Sequence, residues 1–415
     1  MAFAYRGGAL CVEGVSLEEI AQRFGTPCYV YSRAAIEAAY LVFTQALHAR
    51  DALVCYSVKA NSNLAVLSLL ARLGAGFDIV SGGELARVIA AGGDPGKVMF
   101  SGVGKSESEI ERALEAGVLC LNLESEAELE RVDRIAATLG KRAPIAFRVN
   151  PDVDAKTHPY ISTGLKESKF GIAHAEAERL YRQAARLRHV RVAGTGFHIG
   201  SLMGDAAPFF AATERIVALV ERLERAGIAL AHIDLGGGFG IRYNDEAPAP
   251  VSEFIRGALD ALRGRKERLI LDPGRSIVGN AGLLLTRIEY VKPGESKNFV
   301  VVDAAMNDLI RPALYDAWHA VKPVRETELD SATGIYDVVG PVCESADFLA
   351  RDRPLAPHPG DLLAVMSAGA YGMVMSSNYN SRPRPAEVLV DGAAAHLVRG
   401  RESFEQLIAL ERVPG

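Results

Sequence analysis

The chain has 415 residues, of which 49% are hydrophobic, and its formal net charge at pH 7 is -5. A chain of this length can bury a large core and exceeds one ordinary domain, so we expect two domains. It has no basic stripe and no polybasic run, which makes nucleic acid and anionic membranes poor candidate partners. Small molecules are the expected ligands.

The N-terminal segment and the cysteines indicate a cytoplasmic protein. The segment MAFAYRGGALCVEGVSLEEI lacks a basic start followed by an apolar stretch, and no unbroken apolar run is long enough to span a bilayer. The five cysteines are odd in number, widely scattered and without a Cys-x-x-Cys pair. This distribution argues against a disulfide framework and a zinc ribbon, so we expect free thiols and no metal site.

Short apolar runs alternate with longer segments of helical period between residues 50 and 276, which predicts parallel strands joined by crossover helices. The eight predicted strands are Leu53–Ala60, Gly76–Ser81, Val98–Gly102, Val118–Glu124, Ile145–Pro151, Val192–Gly200, His232–Gly240 and Leu269–Ser276. The segments between them, such as SNLAVLSLLARLG and SESEIERALEAG, space apolar residues by three and four and end in Gly. Eight such units that close on themselves form an eight-stranded β/α (TIM) barrel.

Polar residues and glycines cluster at the C-terminal ends of most predicted strands. They are Lys59, Asp78, Asn122, Arg148, His198, Gly236 to Gly238, and Asp272 to Arg275. The C-terminal rim of such barrels carries the active site, so the same pattern predicts both fold and site. Any single one of them could instead be an ordinary strand-end residue.

After Ser276 the apolar residues alternate at period two, in runs such as LLLTRIEYVK, NFVVVDAA, YDVVGPVC, DLLAVMSAGAY and EVLVDGAAAHLV. This pattern predicts a mainly β domain. We expect residues 30–276 to form the barrel, and residues 1–29 together with 277–415 to form the β-rich domain.

Lys59 and the glycine turns suggest a phosphorylated aldehyde cofactor. Lys59 ends the run LVCYSVKAN, where apolar neighbours would desolvate its ammonium and favour a Schiff base. Gly236-Gly237-Gly238 follows the seventh predicted strand and Pro273-Gly274-Arg275 follows the eighth, the usual place of phosphate sites in barrels. Alone, the lysine could be a surface residue and the triplet a turn; together they favour the cofactor.

Five motifs make nearly the whole chain resemble the fold-type III pyridoxal-phosphate decarboxylases, which include the enzymes for ornithine, arginine and diaminopimelate. In chain order they are Tyr56–Asn61, Phe197–Ser201, Asp234–Gly238, Asp272–Arg275 and Gly340–Ser345. Resemblance to the branch that acts on diaminopimelate rests on three further stretches. These are Arg148–Pro151 with the following Gly164-Leu165-Lys166 to Phe170-Gly171, Arg311–Tyr315, and Cys343-Glu344-Ser345.

The resemblance implies a site for pyridoxal 5'-phosphate at the barrel rim. Lys59 would form the Schiff base, His198 would stack on the cofactor ring, and Asp78 and Glu84 would orient the lysine. The residues that look like further cofactor contacts are Ser201, Gly236, Gly237, Gly238, Asp272, Pro273, Gly274, Arg275 and Tyr371.

Asp272 stands where the family usually has Glu. A carboxylate beside the ring nitrogen keeps that nitrogen protonated, so that the ring can absorb the electron pair left after loss of carbon dioxide. Because Asp is one methylene shorter, reaching the ring would need a shifted strand end or a bridging water.

The resemblance also implies a set of substrate contacts: Arg275, Arg311, Tyr315, Glu344 and Tyr371. A guanidinium donates two parallel hydrogen bonds to a carboxylate, which suits the two amino-acid heads of diaminopimelate. Cys343 looks like the proton donor, contributed by the partner chain of a homodimer. Alternatively, Arg311 could cap a helix and Cys343 could be a small buried hydrophobe.

The sequence is compatible with four functions. The favoured one is decarboxylation of meso-2,6-diaminopimelate to L-lysine. Decarboxylation of ornithine, lysine or arginine would need an acidic distal pocket instead of Arg311 and Tyr315. A non-catalytic cofactor carrier is disfavoured by the second domain, and a racemase by the lack of a second assignable base. His158, His232 and His319 have no ligand-like spacing and are expected to be structural.

Overall fold

The structure is a computed structural model that describes residues 2–153, 169–326 and 333–414. The chain divides into two compact units. The barrel unit comprises Ala39–Ile241 and Ala247–Ser276, and the β unit comprises Met1–Ala38, Arg242–Glu246 and Ile277–Gly415. Among the described residues, no helix combines the length and the hydrophobicity that crossing a bilayer requires.

Eight parallel strands close into a ring in the barrel unit, which confirms the predicted barrel. They are Ala52–Ser57, Gly76–Ile79, Val98–Phe100, Cys120–Leu123, Ala143–Asn150, Val190–Gly196, His232–Asp234 and Arg268–Leu271. The ring closes where Leu121 pairs with Ile145 and where Leu269 pairs with Ala52. Ile172–Ala173 adds a two-residue strand beside the fifth barrel strand.

The barrel strands are apolar because both of their faces are buried. Leu53, Cys55, Met99, Cys120 and Ile270, contributed by four different strands, belong to one buried cluster. Such a cluster fills the barrel with side chains and leaves the strand ends to carry polar groups.

Helices follow the barrel strands as predicted. They are Leu64–Arg72, Gly82–Ala90, Glu107–Ala116, Glu126–Thr138, His174–Ala184, Ala207–Arg225 and Val251–Ala261, with Arg33–Ala46 before the first strand and the short Arg275–Val278 after the last. Glu107–Ala116 shows how the sequence sets their ends. Ser106 and Glu109 form a reciprocal capping box at its start, and Gly117, at φ 75°, ends it in the left-handed conformation.

The β unit contains two sheets, which confirms the predicted mainly β architecture. A small antiparallel sheet is formed by Phe3–Arg6, Ala9–Val12 and Val15–Ser16. The larger sheet is formed by Cys28–Ser32, Gly282–Lys292, Asn298–Val302, Val321–Pro323, Gly334–Val339, Phe348–Leu355, Leu362–Val365, Ala386–Asp391 and Ala394–Arg399. The helices Leu17–Phe24, Arg311–Tyr315 and Phe404–Ile408 complete this unit.

Two details of the β unit differ from the predicted pattern. The run EVLVDGAAAHLV is a hairpin rather than one strand, because Gly392, at φ 60°, turns the chain between Asp391 and Ala394. Phe348–Leu355, with the sequence FLARDRPL, was not predicted because charged residues interrupt its alternation.

Candidate active site

Lys59 and Asp78 lie beside each other at the C-terminal ends of the first two barrel strands. Lys59 sits in the 3-10 turn Val58–Ala60, directly after the strand Ala52–Ser57, and its Nζ lies 3.6 Å from Oδ2 of Asp78. The Lys59 side chain is 39% exposed, whereas that of Asp78 is 1% exposed. The ammonium therefore lies beside a buried carboxylate, and its desolvation by apolar neighbours stays a prediction.

Hydroxyl groups fix the carboxylate of Asp78. Ser101 Oγ donates to Oδ1 at 2.6 Å, and Ser57 Oγ lies 3.3 Å from Oδ2. Asn122 Nδ2 in turn donates to Ser101 Oγ at 3.1 Å. A buried carboxylate held in this way presents its second oxygen to Lys59 in one orientation.

Glu84, at the start of the helix Gly82–Ala90, is a second acid near the lysine. Its Oε2 accepts a hydrogen bond from the Val80 N–H at 2.7 Å. Burial raises the pKa of Glu84 to about 7, and the negative charge of Asp78 adds to this, while the backbone hydrogen bond and Lys59 oppose it. Glu84 can therefore exchange a proton near neutral pH.

His198 lies at the end of the sixth barrel strand, against the glycine turn. Its Nδ1 accepts from the Gly237 N–H at 3.3 Å and lies 3.7 Å from Oδ1 of Asp272. Burial lowers the pKa of His198 to about 3, and the positive charges of Arg148 and Lys59 lower it further. The imidazole is thus neutral at pH 7, with its proton on Nε2.

Asp272 is largely buried, with 11% of its side chain exposed, after the eighth strand. No hydrogen-bond partner for its Oδ1 is found among residues 2–153, 169–326 and 333–414. Burial, together with the negative charge of Asp78, raises the pKa of Asp272 well above its ordinary value. Such an oxygen is poised to accept a hydrogen bond from a cationic N–H.

Gly236, Gly237 and Gly238 allow the backbone to come close to its neighbours. Gly236 and Gly238 have φ values of 74° and 85°, which favour glycine. A Cβ on Gly237 would lie 2.3 Å from the Asp272 carbonyl oxygen, and one on Gly238 would lie 1.9 Å from the Gly200 oxygen. The turn therefore admits no side chain, and its backbone packs directly against the residues that follow the sixth and eighth strands.

The segment Pro273–Arg275 joins the two ends of the site. The Pro273 carbonyl accepts from the Ser57 N–H at 3.0 Å, and a Cβ on Gly274 would lie 2.9 Å from Ser57 Cβ. Arg275 is buried, and its Nη2 lies 3.4 Å from Ser201 Oγ. This segment therefore contacts both Ser57, which ends the first strand just before Lys59, and Ser201, which follows the sixth strand.

Apart from Arg275, the predicted substrate residues lie in the β unit. Arg311 begins the helix Arg311–Tyr315 and is buried, whereas Tyr315 at its end is half-buried. The guanidinium carbon lies 4.7 Å from the centre of the Tyr243 ring, and Nη1 lies 2.7 Å from His319 Nε2. Tyr371 has a φ of 54°, so its backbone lies in the left-handed region.

Cys343 and Glu344 lie in a turn after the strand Gly334–Val339. The Cys343 side chain is exposed, so it is not a small buried hydrophobe, and its N–H donates to Asn380 Oδ1 at 3.1 Å. Tyr379 OH donates to Glu344 Oε2 at 3.3 Å. Both contacts hold the turn against residues 379–380, for which the sequence pattern gave no signal.

All five cysteines are unpaired, as expected, and four of them are buried. Within the described ranges, no group of three or more His, Cys, Asp or Glu side chains is arranged to hold a metal ion. His158 and the stretch Gly164–Lys166 lie outside the described residues.

The sequence and the structure both resemble known proteins. Residues 33–279 match the family model described as pyridoxal-dependent decarboxylase, pyridoxal binding domain. Diaminopimelate decarboxylase of Pseudomonas aeruginosa is 61% identical over 409 residues, which is 99% of this chain and 98% of that protein.

Two similar solved structures also carry that name. Diaminopimelate decarboxylase from Helicobacter pylori, complexed with L-lysine, has a TM-score of 0.92 and 44% identity, and the match covers 95% of this chain and 99% of that one. The enzyme from M. jannaschii, in co-complex with L-lysine, has a TM-score of 0.94 and 36% identity, with coverage of 100% and 98%.

Proposed function

We propose, from the premise that this chain belongs to the diaminopimelate decarboxylases of the pyridoxal-dependent decarboxylase family, that it converts meso-2,6-diaminopimelate to L-lysine and carbon dioxide. This reaction is the last step of lysine biosynthesis. The observation that carries the proposal is the Lys59–Asp78 pair, set at one barrel rim with the glycine turn and with Asp272. Lys59 supplies an amine, the glycine turn is suited to a phosphate, and Asp272 supplies a buried hydrogen-bond acceptor.

The residues of the rim fit pyridoxal 5'-phosphate. Lys59 would hold its aldehyde covalently, and the glycine turn Gly236–Gly238, with Ser201, Gly274 and Tyr371, would hold its phosphate. Asp272 Oδ1, which lacks a described hydrogen-bond partner, would accept from the ring N–H. A cation there would stabilise the charged form of Asp272 and so offset the rise in its pKa that burial causes.

When bound, the pyridinium ring supplies an electron sink for the pair released from the Cα–carboxylate bond. The chain's own residues do the rest. Asp78 holds Lys59 by an ion pair, and His198, neutral at pH 7, would cover the ring without adding a positive charge that competes with it. Cys343 would deliver the proton from its Sγ to Cα.

The charge of Arg311 favours diaminopimelate over ornithine, lysine or arginine. Its guanidinium is buried, and neither His319 nor the Tyr243 ring carries a negative charge that would neutralise it. A buried cation is suited to a distal carboxylate, which those three substrates lack at that end. Arg275, Tyr315, Glu344 and Tyr371 would complete the substrate contacts.

We further propose a homodimer in which the turn carrying Cys343 and Glu344 serves the site of the partner. The exposure of Cys343 supports this, since a proton donor must be reachable. Its thiol must also stay reduced, so the proposed compartment is the cytoplasm. Residues 30–276, and residues 1–29 with 277–415, remain our proposed domains.

Carbon dioxide release from meso-diaminopimelate and from ornithine tests the proposal. We expect kcat/KM for meso-diaminopimelate to exceed that for ornithine by about a hundredfold or more, because the distal carboxylate makes charge-assisted hydrogen bonds. Equal or faster release from ornithine would refute the proposed substrate.

A further inference from the structure

The side chain of His319 lies fully buried against Arg311, although its spacing in the sequence suggested only a structural histidine. His319 is 0% exposed, and its Nε2 lies 2.7 Å from Arg311 Nη1. On the other side of the imidazole ring, Nδ1 lies 2.8 Å from the Met366 carbonyl oxygen. The ring therefore bridges a backbone carbonyl and a guanidinium.

These two contacts define the tautomer of His319. A carbonyl oxygen can only accept, so Nδ1 must carry the proton that it donates to Met366. A guanidinium can only donate, so Nε2 must offer its lone pair to Arg311. The neutral Nδ1–H form meets both demands, whereas a protonated ring would place N–H against N–H.

The ring of Tyr243 contacts both Arg311 and His319. The Arg311 guanidinium lies over its ring at 4.7 Å, and the rings of Tyr243 and His319 meet edge to face at 5.4 Å and 82°. An aromatic face attracts a cation without taking its charge. Both neighbours thus restrict the rotation of the guanidinium, and neither of these two rings carries a negative charge.

We propose that His319 is a positioning residue, which aims the fork of Arg311 at the distal carboxylate of the substrate. The inference rests on the proposed function, in which Arg311 binds that carboxylate. An acidic residue at this position would pair with Arg311 and compete with the substrate. A neutral acceptor orients the guanidinium without adding a negative charge of its own, which favours amino acids that have a second amino-acid head.

Two variants separate positioning from packing. His319→Asn shortens the side chain, so that its amide can still serve Met366 but falls short of Arg311. His319→Gln keeps an acceptor at the longer reach. His232→Leu removes another buried imidazole, on the seventh barrel strand, and serves as the matched control.

The readout is inhibition of the holoenzyme by L-lysine, which carries the distal carboxylate, and by 1,5-diaminopentane, which has none. In His319→Asn we expect the inhibition constant for L-lysine to rise about tenfold or more, as for one charge-assisted hydrogen bond, and that for 1,5-diaminopentane to change less than about twofold. In the same variant, KM for diaminopimelate should rise by about the same factor as the inhibition constant for L-lysine, while kcat should stay near the wild-type value. His319→Gln and His232→Leu should keep the wild-type ratio of the two constants.

Equal weakening of both inhibitors, or no change in either, would overturn the positioning role. If His319→Asn does not fold, the nitrogen NMR shifts of His319 in the wild type decide the question: the Nδ1–H tautomer supports the proposal and the Nε2–H tautomer refutes it. A wild-type enzyme that binds L-lysine but releases no carbon dioxide from diaminopimelate would refute the proposed function alone, since the inhibitor ratio tests His319 separately.

Discussion

The Nζ atom of Lys59 lies 3.6 Å from Oδ2 of Asp78, and the Ser101 hydroxyl holds that carboxylate through its other oxygen at 2.6 Å. An amine so oriented is the expected point of attachment for the cofactor. The purified protein should therefore absorb in the visible region, and borohydride should fix the chromophore on the peptide that contains Lys59. Lys59→Ala should lose both the absorbance and the activity.

Lys97→Ala is the control for this experiment, because Lys97 is a surface lysine that bonds only weakly to the Gly74 carbonyl, at 3.4 Å. It should keep the wild-type spectrum. Recovery of the label on any lysine other than Lys59 would contradict the assignment.

Arg311→Ala should raise KM for diaminopimelate. Loss of one charge-assisted contact costs about 1.5–3 kcal/mol, which is roughly ten- to a hundredfold in affinity. Arg311→Lys should recover only part of this, since an ammonium lacks the planar fork. Thermal unfolding checks that the fold survives; an unchanged KM in a stable Arg311→Ala variant would exclude the role.

Gly237→Ala should weaken cofactor binding. Its Cβ would lie 2.3 Å from the Asp272 carbonyl oxygen and 2.5 Å from Oδ1, so the turn or Asp272 must shift. We expect the dissociation constant, measured by titrating apoprotein with the cofactor, to rise about tenfold or more. Gly204→Ala, where no atom lies within 4 Å of the added methyl, should bind as the wild type does. Equal affinities in both variants would show that the close approach is unimportant.

Glu84 should make the protein less stable as the pH rises. Its pKa is 4.5 in the unfolded chain and about 7 in the folded one, so the folded state binds the extra proton between these values. Stability is then lost as the pH rises from 4.5 through 7. Glu84→Gln should remove this loss, about 1–3 kcal/mol once partial exposure is allowed for. Urea unfolding at pH 5 and pH 8 measures it; parallel pH profiles for both proteins would contradict the raised pKa.

Mixed dimers test the shared site. Lys59→Ala and Cys343→Ala should each be nearly inactive. If the chains exchange freely in an equal mixture, about half of the dimers are hybrids, and each hybrid has one intact site and one doubly damaged site. Activity should recover to roughly a quarter of wild type. Exchange without recovery would mean that both residues act from the same chain.

The barrel could be predicted because its strands are buried on both faces and so are continuous apolar runs. The residues at which these strands end could not be predicted. The predicted run Val192–Gly200 starts two residues inside the strand Val190–Gly196 and extends four residues beyond its end, because the apolar residues Phe197 and Ile199 are buried there without belonging to the strand. The apolar residues of a sequence indicate which positions are buried. They do not show which of these positions form the backbone hydrogen bonds that define a strand.

The charged and glycine residues of the site could be predicted from their place at strand ends. Ser101 and His319 could not, since each matters through one partner that only the fold reveals. Ser101 reaches Asp78 because the register sets Asp78 beside Met99 on the neighbouring strand. His319 reaches Arg311 across a short helix and the turn after it.

The strand Cys28–Ser32 lies between Gly282–Lys292, to which it is antiparallel, and Ala386–Asp391, to which it is parallel. During synthesis this fully buried strand leaves the ribosome first, whereas its two partners follow only after the whole barrel has been made. The growing chain must therefore keep an unpaired apolar edge from aggregating for most of its translation. A chain stopped before Ala386 would leave that edge open permanently, so premature termination even near the end should yield insoluble protein rather than a working barrel.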